Sequence, residues 1–222
     1  MEKEVKLAFK DRESLFSAAS SDWFAAHCSN KESSPLTLEN YYLDTKDSIL
    51  RSRGAVFRKR HYTGGGTDAF EFTAKCIRDV KDGVHERYEW NVGSYTGSMT
   101  AAEFIKKASE TDGDDPEILK GLLSGIGDKD LSVLCSNIFE RTLYEFSYGS
   151  STMEACIDYG EIKDFKGKTV DVICEMELEL MKGNAEDLEA AKAFIMANTD
   201  AVPFNTGKFE RTLRASHTGG TV

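Results

Sequence analysis

No run of apolar residues in this 222-residue chain approaches the roughly 18 that a membrane-spanning helix needs, so no span is expected. Cysteine is scarce. The five present (Cys28, Cys76, Cys135, Cys156 and Cys174) are odd in number, far apart and never arranged as C-x-x-C, which argues against a disulfide framework and a cysteine zinc site. Reduced, mostly buried thiols are expected. Basic charge is also short: 28 Lys and Arg against 38 Asp and Glu give a net charge of −10, which speaks against broad binding to nucleic acid or anionic membranes. A cluster of arginines inside an acidic shell escapes that average. The histidines, His27, His61, His85 and His217, are too scattered for a metal set. The glycine-rich TGGG at 63–66 lacks the strand-loop-Lys-Ser/Thr-helix context of a phosphate loop and reads as a hairpin turn. No basic-then-apolar leader precedes the first strand, so a cytoplasmic protein is expected.

What the chain does have is alternation. In MEKEVKLAF, the two-residue period of a strand puts Glu2, Glu4, Lys6 and Ala8 on one side and Lys3, Val5, Leu7 and Phe9 on the other. The apolar side must pack under something, while the charged side faces either bulk water or a hydrated cavity. ICEMELEL repeats the pattern, with Glu175, Glu177 and Glu179 opposite Met176, Leu178 and Leu180. One such strand alone reads as the wetted face of an antiparallel sheet. But Arg58 and Arg60 alternate in VFRKR, Glu71, Thr73 and Lys75 in FEFTAK, and His85, Arg87 and Glu89 in HERYE. Arg141 and Asp158 lie in FERTLYEF and CIDYG. Each stretch also carries an apolar face, and Trp90 falls opposite Arg87. A closed sheet, covered by helices outside and lined with paired charge inside, satisfies all of them.

The remaining segments fit such a frame. DRESLFSAASSDWFAAH (11–27) has helical spacing at Leu15, Phe16, Ala19 and Phe24, and SNKESSP closes it as a loop. A hairpin is expected across 56–76, and 101–125 reads as helical or irregular, with Pro116 before EILKGLLSGI. NAEDLEAAKAFIMANTD is the clearest helix: Asn184 as N-cap, acidic residues in the first turn, and an apolar stripe of Leu188, Ala191, Phe194 and Ile195. Without regular strand-helix alternation, the expected class is α+β: one antiparallel domain over 1–215 and a frayed tail over 216–222.

A lumen lined this way suits one kind of ligand. Arginine and lysine from several strands can surround phosphoryl oxygens, Arg by its planar fork and Lys as a point charge. Carboxylates in the same space repel that anion unless a hard divalent cation stands between, and Mg²⁺ or Mn²⁺ is held by one or two carboxylates together with phosphate oxygens and water. Glutamates among arginines therefore imply metal with polyphosphate.

The E-x-E-x-K start (Glu2, Glu4, Lys6), the YYLDTKDSILRSRGAVFRKR block, TAK at 73–75, Arg87 with Glu89, D-x-G at 158–160, E-x-E-x-E at 175–179 and GKFERTL near the end resemble, in order, the CYTH superfamily of triphosphate tunnel metalloenzymes. DGVHERYEWNV and CEMELELMKG look most like its bacterial inorganic triphosphatase branch, here without the helical CHAD domain of longer members. The resemblance implies a tunnel of about eight antiparallel strands, with helices outside, that hydrolyses tripolyphosphate using divalent metal, two ions in all.

Residue by residue, it implies that Glu2, Glu4, Glu177 and Glu179 bind metal and that Asp158 positions a lumen group or a metal-bound water. Lys6, Arg58, Arg60, Lys75, Arg87, Arg141 and Lys208 would hold phosphoryl oxygens, with Glu4, Lys6 and Arg58 closest to the chemistry. Glu175 shares the metal-binding face, Arg51 and Arg53 could stand at the tunnel mouth, and Arg211 could be an exterior charge. Gly207 stands where the family often has Ser before the C-terminal Lys, which removes a hydroxyl contact. A class IV adenylate cyclase, a thiamine triphosphatase and a non-catalytic polyphosphate-binding module are the alternatives. The expected partner is a small triphosphate, with no nucleic acid or membrane, and a homodimer is left open.

Overall fold

The alternation of the opening stretch becomes strand β1 (Glu2–Ala8), and β1 closes the whole sheet. The computed structural model describes residues 2–29, 34–111, 114–127, 130–164 and 166–218, with side chains through Ser216. After β1 come α1 (Arg12–Ala19), α2 (Asp22–Ala25), β2 (Leu36–Thr45), α3 (Ile49–Ser52), β3 (Ala55–Gly64), β4 (Thr67–Lys81), β5 (Val84–Ser94), α4 (Ala101–Ser109) and α5 (Pro116–Leu123). They are followed by β6 (Leu131–Tyr148), β7 (Ser151–Lys163), β8 (Thr169–Lys182), α6 (Ala185–Asn198), β9 (Val202–Pro203) and α7 (Lys208–Thr218).

Every strand pairing is antiparallel, in the order β5-β4-β3-β2-β6-β7-β8-β1. Because β1 also pairs with β5, eight strands form a closed barrel, and β9 adds to the far end of β1. The register matters more than the count. Glu2 faces Arg87 of β5, while Glu4 and Lys6 face Glu179 and Glu177 of β8. Asp158 stands between Arg141 and Glu175. The charged rows read separately along the chain thus lie side by side on one surface, and closure makes that surface the lumen.

Two apolar cores hold the outside. Val5 and Leu7 join Phe146, Met153, Ile157, Met176 and Leu178 beneath α1, α2 and α6, which contribute Leu15, Phe24, Leu188, Ala191 and Ile195. Phe57, Phe72, Trp90 and Val92 pack under α3, α4 and α5 through Leu50, Phe104, Leu119 and Leu123. Trp90 covers the exterior, as its parity predicts, and its indole N–H donates to the Asp114 carbonyl at 3.0 Å. A third, smaller cluster of Leu38, Phe139, Ile162 and Ile173 shares the lumen parity and is covered by Ala215, so α7 stoppers one end of the barrel.

The expected helix over 11–27 is broken in two. Ser20 Oγ donates back to the Phe16 carbonyl at 2.7 Å, and Ser21 Oγ accepts from Phe24 N at 3.3 Å, so adjacent serines end one helix and cap the next. Asn184 caps α6 as expected, accepting from Asp187 N at 2.8 Å. TGGG closes the β3–β4 hairpin with Gly64, Gly65 and Gly66 all at positive φ. Gly160 of the D-x-G motif has another reason: a Cβ there would lie 2.5 Å from Phe139 Cβ and 2.7 Å from the Ile138 carbonyl, so glycine lets β6 approach β7 beside Asp158. The helix α7 continues to Thr218, through the first residues of the segment expected as tail, and 219–222 lie outside the described residues. Among those residues no helix is long and apolar enough to cross a membrane.

Candidate active site

The lumen encloses a cavity of about 390 Å³. Glu2, Glu4, Lys6, Arg58, Arg60, Lys75, Arg87, Arg141, Glu177, Glu179 and Lys208 all line it. Asp158, and Glu175 on the same face, do not reach the cavity surface, and both are fully buried.

The charges segregate into two zones. In the deeper one every carboxylate faces protein cations. Arg141 grips Asp158 with two hydrogen bonds, Nε at 2.7 Å and Nη2 at 2.5 Å, and Nη2 also reaches Glu177 Oε2 at 2.7 Å. Lys208 Nζ, presented by the first residue of α7, is 2.8 Å from both Asp158 and Glu177 and also contacts Glu175. Lys6 Nζ is 2.8 Å from Glu177 and 3.6 Å from Glu4. Asp158, Glu175 and Glu177 bring oxygens within 4.8 Å of one another, a spacing that could suit a cation, but the Lys208 ammonium contacts all three. In this structure the oxygens of Asp158 and Glu177 are held by Lys6, Arg141 and Lys208. Burial pushes the Glu177 carboxyl up, but Lys208, Lys6 and Arg141 outweigh it and hold the group well below the usual carboxylate range.

In the second zone carboxylates are in excess. Glu2, Glu4, Glu89, Glu154 and Glu179 line the same cavity, with Lys75 and Arg87 between them. Lys75 contacts Glu2 at 3.4 Å and also pairs with Glu89. Arg87 pairs with Glu4 and lies 3.4 Å from Glu2 Oε2 without hydrogen-bond geometry. Burial raises Glu2 well above its ordinary range, and it pushes Glu179 up to about 7, with the Glu89 charge adding to the shift. Glu2 Oε2 and Glu89 Oε2 contact Arg87 and Lys75 only as ion pairs without hydrogen-bond geometry, and in the deeper zone both Glu175 oxygens are in the same position. Raised carboxyls, more carboxylates than cations and hard oxygen donors fit a divalent cation such as Mg²⁺ or Mn²⁺.

Facing these, Arg58 Nη2 donates to Thr73 Oγ1 at 2.9 Å and approaches Glu71 at 3.3 Å, while its buried Nε has no partner. Arg60 Nε donates to Asn40 at 2.6 Å, and Arg60 Nη1 reaches the Tyr62 hydroxyl at 3.3 Å. Arg51 lines the cavity. Arg53 turns away and donates to the Leu122 and Ser124 carbonyls at 2.7 and 2.9 Å, at the end of α5. Arg211 does not line the cavity either: it donates to Asp171 at 2.7 Å and to the Val172 carbonyl, and its Nη1 lies 3.6 Å from buried Glu175. His85 lines the cavity, with Nε2 3.0 Å from the Phe204 carbonyl, and its pKa is lowered by burial and by nearby Lys6. Sequence reasoning missed Glu154, Tyr42 and Asn91 as lining residues. The period-two rule reaches them, since Glu154 shares a face with Asp158, and Tyr42 shares one with Asn40.

A closed antiparallel barrel with cationic and anionic rows in one enclosed lumen defines a tunnel for a polyanion together with a hard cation. The CYTH domain matches residues 1–213, and the chain belongs to the CYTH family. Its fold is similar to that of a candidate adenylyl cyclase from Hippeastrum described as having a dominant triphosphatase activity, at 12% identity and TM-score 0.70 over 97% of each chain. It is also similar to a candidate adenylate cyclase from Bacillus halodurans (18% identity, TM-score 0.54, 95% of this chain and 98% of that one). A third similar structure is the PH1819 protein of Pyrococcus horikoshii (13%, TM-score 0.55, 95% and 98%). At these identities the likeness is one of fold.

Proposed function

We propose that the chain is a divalent-metal-dependent triphosphatase that hydrolyses inorganic triphosphate to pyrophosphate and phosphate. The observation that carries this reading is the segregation of the lumen: one cavity offers a row of fixed cations beside glutamates that lack enough of them. Family membership supports it, and so does the triphosphatase activity described for the Hippeastrum protein.

In this reading Glu2, Glu4 and Glu179 hold the metal, with Glu89 beside them, and bound Mg²⁺ or Mn²⁺, two ions in all, supplies charge neutralisation and an acidified water. Arg58, Arg60, Lys75 and Arg87 receive phosphoryl oxygens. Because Lys75 and Arg87 are paired with glutamates before substrate arrives, they exchange carboxylate for phosphoryl oxygen as it enters. Lys6, Arg141 and Lys208 meet the other end of the phosphate chain, and Glu177, Asp158 and Glu175 keep those three cations aligned. Alignment and fixed charge are the main requirements of phosphoryl transfer.

The test is a matrix of tripolyphosphate, ATP and thiamine triphosphate against Mg²⁺, Mn²⁺ and no metal. The expected result is metal-dependent orthophosphate release with tripolyphosphate as the best substrate. Cyclic AMP as the main product from ATP would make the protein a cyclase, and intact tripolyphosphate after long incubation would make it a binding module.

The same zone predicts a pH dependence in metal-free protein. Glu179 has a folded pKa of about 7 against an ordinary 4.5, so the fold favours its protonated form. That stabilisation is fully present below about 4.5 and is lost as pH rises to about 7, a change on the order of 1–3 kcal/mol. Glu2, also raised, acts in the same direction. Glu4 and Glu177 are lowered, so their contribution is lost only at more acid pH, while His85, lowered from its ordinary 6.5, gains stability as pH rises to that value and offsets part of the fall. Without metal the melting temperature should therefore fall by several degrees from pH 5 to pH 8, and added Mg²⁺ should remove the difference. A flat or rising profile without metal would contradict the charge excess.

A further inference from the structure

A line of buried hydrogen bonds crosses the stoppered end of the barrel. Arg60 Nε donates to Asn40 Oδ1 at 2.6 Å, and Asn40 Nδ2 donates to Asn137 Oδ1 at 2.9 Å. Asn137 Nδ2 donates to Thr212 Oγ1 at 2.7 Å, and the Thr212 hydroxyl donates to the Lys208 carbonyl at 2.7 Å. All five residues are buried, Asn40 completely. Asn40 stands directly opposite Arg60 on β3 and Asn137 on β6, so the line runs across the strands and then into α7.

Its direction is set at one end. A guanidinium only donates, so Asn40 must turn its carbonyl oxygen to Arg60 and its amide nitrogen to Asn137. That choice turns the Asn137 oxygen towards Asn40 and its nitrogen towards Thr212, which leaves the hydroxyl proton of Thr212 for the Lys208 carbonyl. Reversing any one member would set donor against donor or acceptor against acceptor in a buried place, where an unmatched polar group is penalised heavily. One end is the cavity-lining Arg60 guanidinium on a strand; the other is the main-chain carbonyl of Lys208, which fixes the first turn of α7 from which the Lys208 ammonium reaches the cavity and its carboxylates.

We propose that Asn40, Asn137 and Thr212 are positioning residues that couple the placement of Arg60 to that of Lys208, so that both cations meet one phosphate chain in a single geometry. The phosphate chain rests on the function proposed above; the coupling itself does not.

Thr212→Val removes the hydroxyl at nearly unchanged volume, Thr212→Ala does so with a smaller side chain, and Thr212→Ser keeps it. The readout independent of substrate is the Arg60 Nε–H resonance in metal- and substrate-free protein, identified by its loss in Arg60→Lys. It should shift and exchange with water at least tenfold faster in Thr212→Val, and Thr212→Ser should restore it. With tripolyphosphate and Mg²⁺, Thr212→Val should raise KM about tenfold with kcat within threefold, and should add nothing to the KM of a Lys208→Met variant. An unchanged Arg60 resonance in both hydroxyl-deleted variants would overturn the proposal. A lower melting temperature with KM within twofold of wild type would do the same, since that is a structural role alone. If the wild type does not turn over tripolyphosphate, the functional reading fails, and the resonance alone decides the coupling.

Discussion

Glu4→Gln is expected to reduce metal-dependent phosphate release from tripolyphosphate by on the order of a thousandfold while leaving the barrel folded. Glu4 is buried on β1, opposite His85 of β5 on one side and Glu179 of β8 on the other, so it stands where the two halves of the carboxylate zone meet. Burial pushes its pKa up, but Arg87 and Lys6 hold it below the usual range, so it is an anion at neutral pH. Glutamine keeps the volume and leaves one oxygen to accept from Arg87, so packing survives. What it removes is the charge and one hard oxygen donor, and what it adds is an amide N–H₂ aimed into a cation-binding space. The loss should therefore appear in kcat and in the metal concentration needed for half-maximal rate, with the far-ultraviolet circular dichroism unchanged. Turnover within fivefold of wild type in a folded variant would remove Glu4 from the metal site.

The parity of this site was legible in the sequence because strand side chains alternate with period two. The register shifts of the sheet, at Tyr42/Leu43, Ile77/Asp79, Thr152/Met153 and Ile162/Lys163, fall between the charged lumen positions rather than within them. Glu2, Glu4 and Lys6 had to oppose Val5 and Leu7, and the same rule placed Arg58, Arg60, Lys75, Arg87 and Arg141 on the lumen side, where the cavity finds them. Closure was not legible from periodicity, since the pairing of β1 with both β5 and β8 joins segments some 80 and 170 residues away in the chain. It came from the family resemblance. Depth along the lumen was hidden for the same reason. Asp158 has the right parity but sits a step below the cavity floor, sealed by Arg141 and Lys208, and no local pattern reports that. Lys208 does not belong to the strand pattern at all: it enters from a helix that stoppers the barrel. Arg51 and Arg53 differ by two positions and looked equivalent, yet the short helix α3 sends one to the cavity and the other to the carbonyls at the end of α5.

Glu177→Leu is expected to destabilise the fold by about 3–5 kcal/mol, measured by urea unfolding at pH 7. Glu177 is buried and takes Lys6 and Lys208 at 2.8 Å and Arg141 at 2.7 Å. Replacing a whole buried ion cluster with apolar groups can be neutral, but removing its central anion leaves three buried cations to share Asp158, Glu175 and the more distant Glu4. Leucine is similar enough in size that a cavity contributes little, so the loss measures electrostatics. Two controls separate that cause from packing. The carboxyl is held below its ordinary 4.5, so its stabilisation is present above that pH and is lost as pH falls through the lowered value; the gap between wild type and variant should narrow in acid. Metal-free tripolyphosphate should also narrow it, because an anion entering the lumen can take the place of the missing carboxylate among Lys6, Arg141 and Lys208. A gap that ignores both pH and the anion would mean that Glu177 holds the barrel by packing alone, and that the three cations do not converge on a phosphate site.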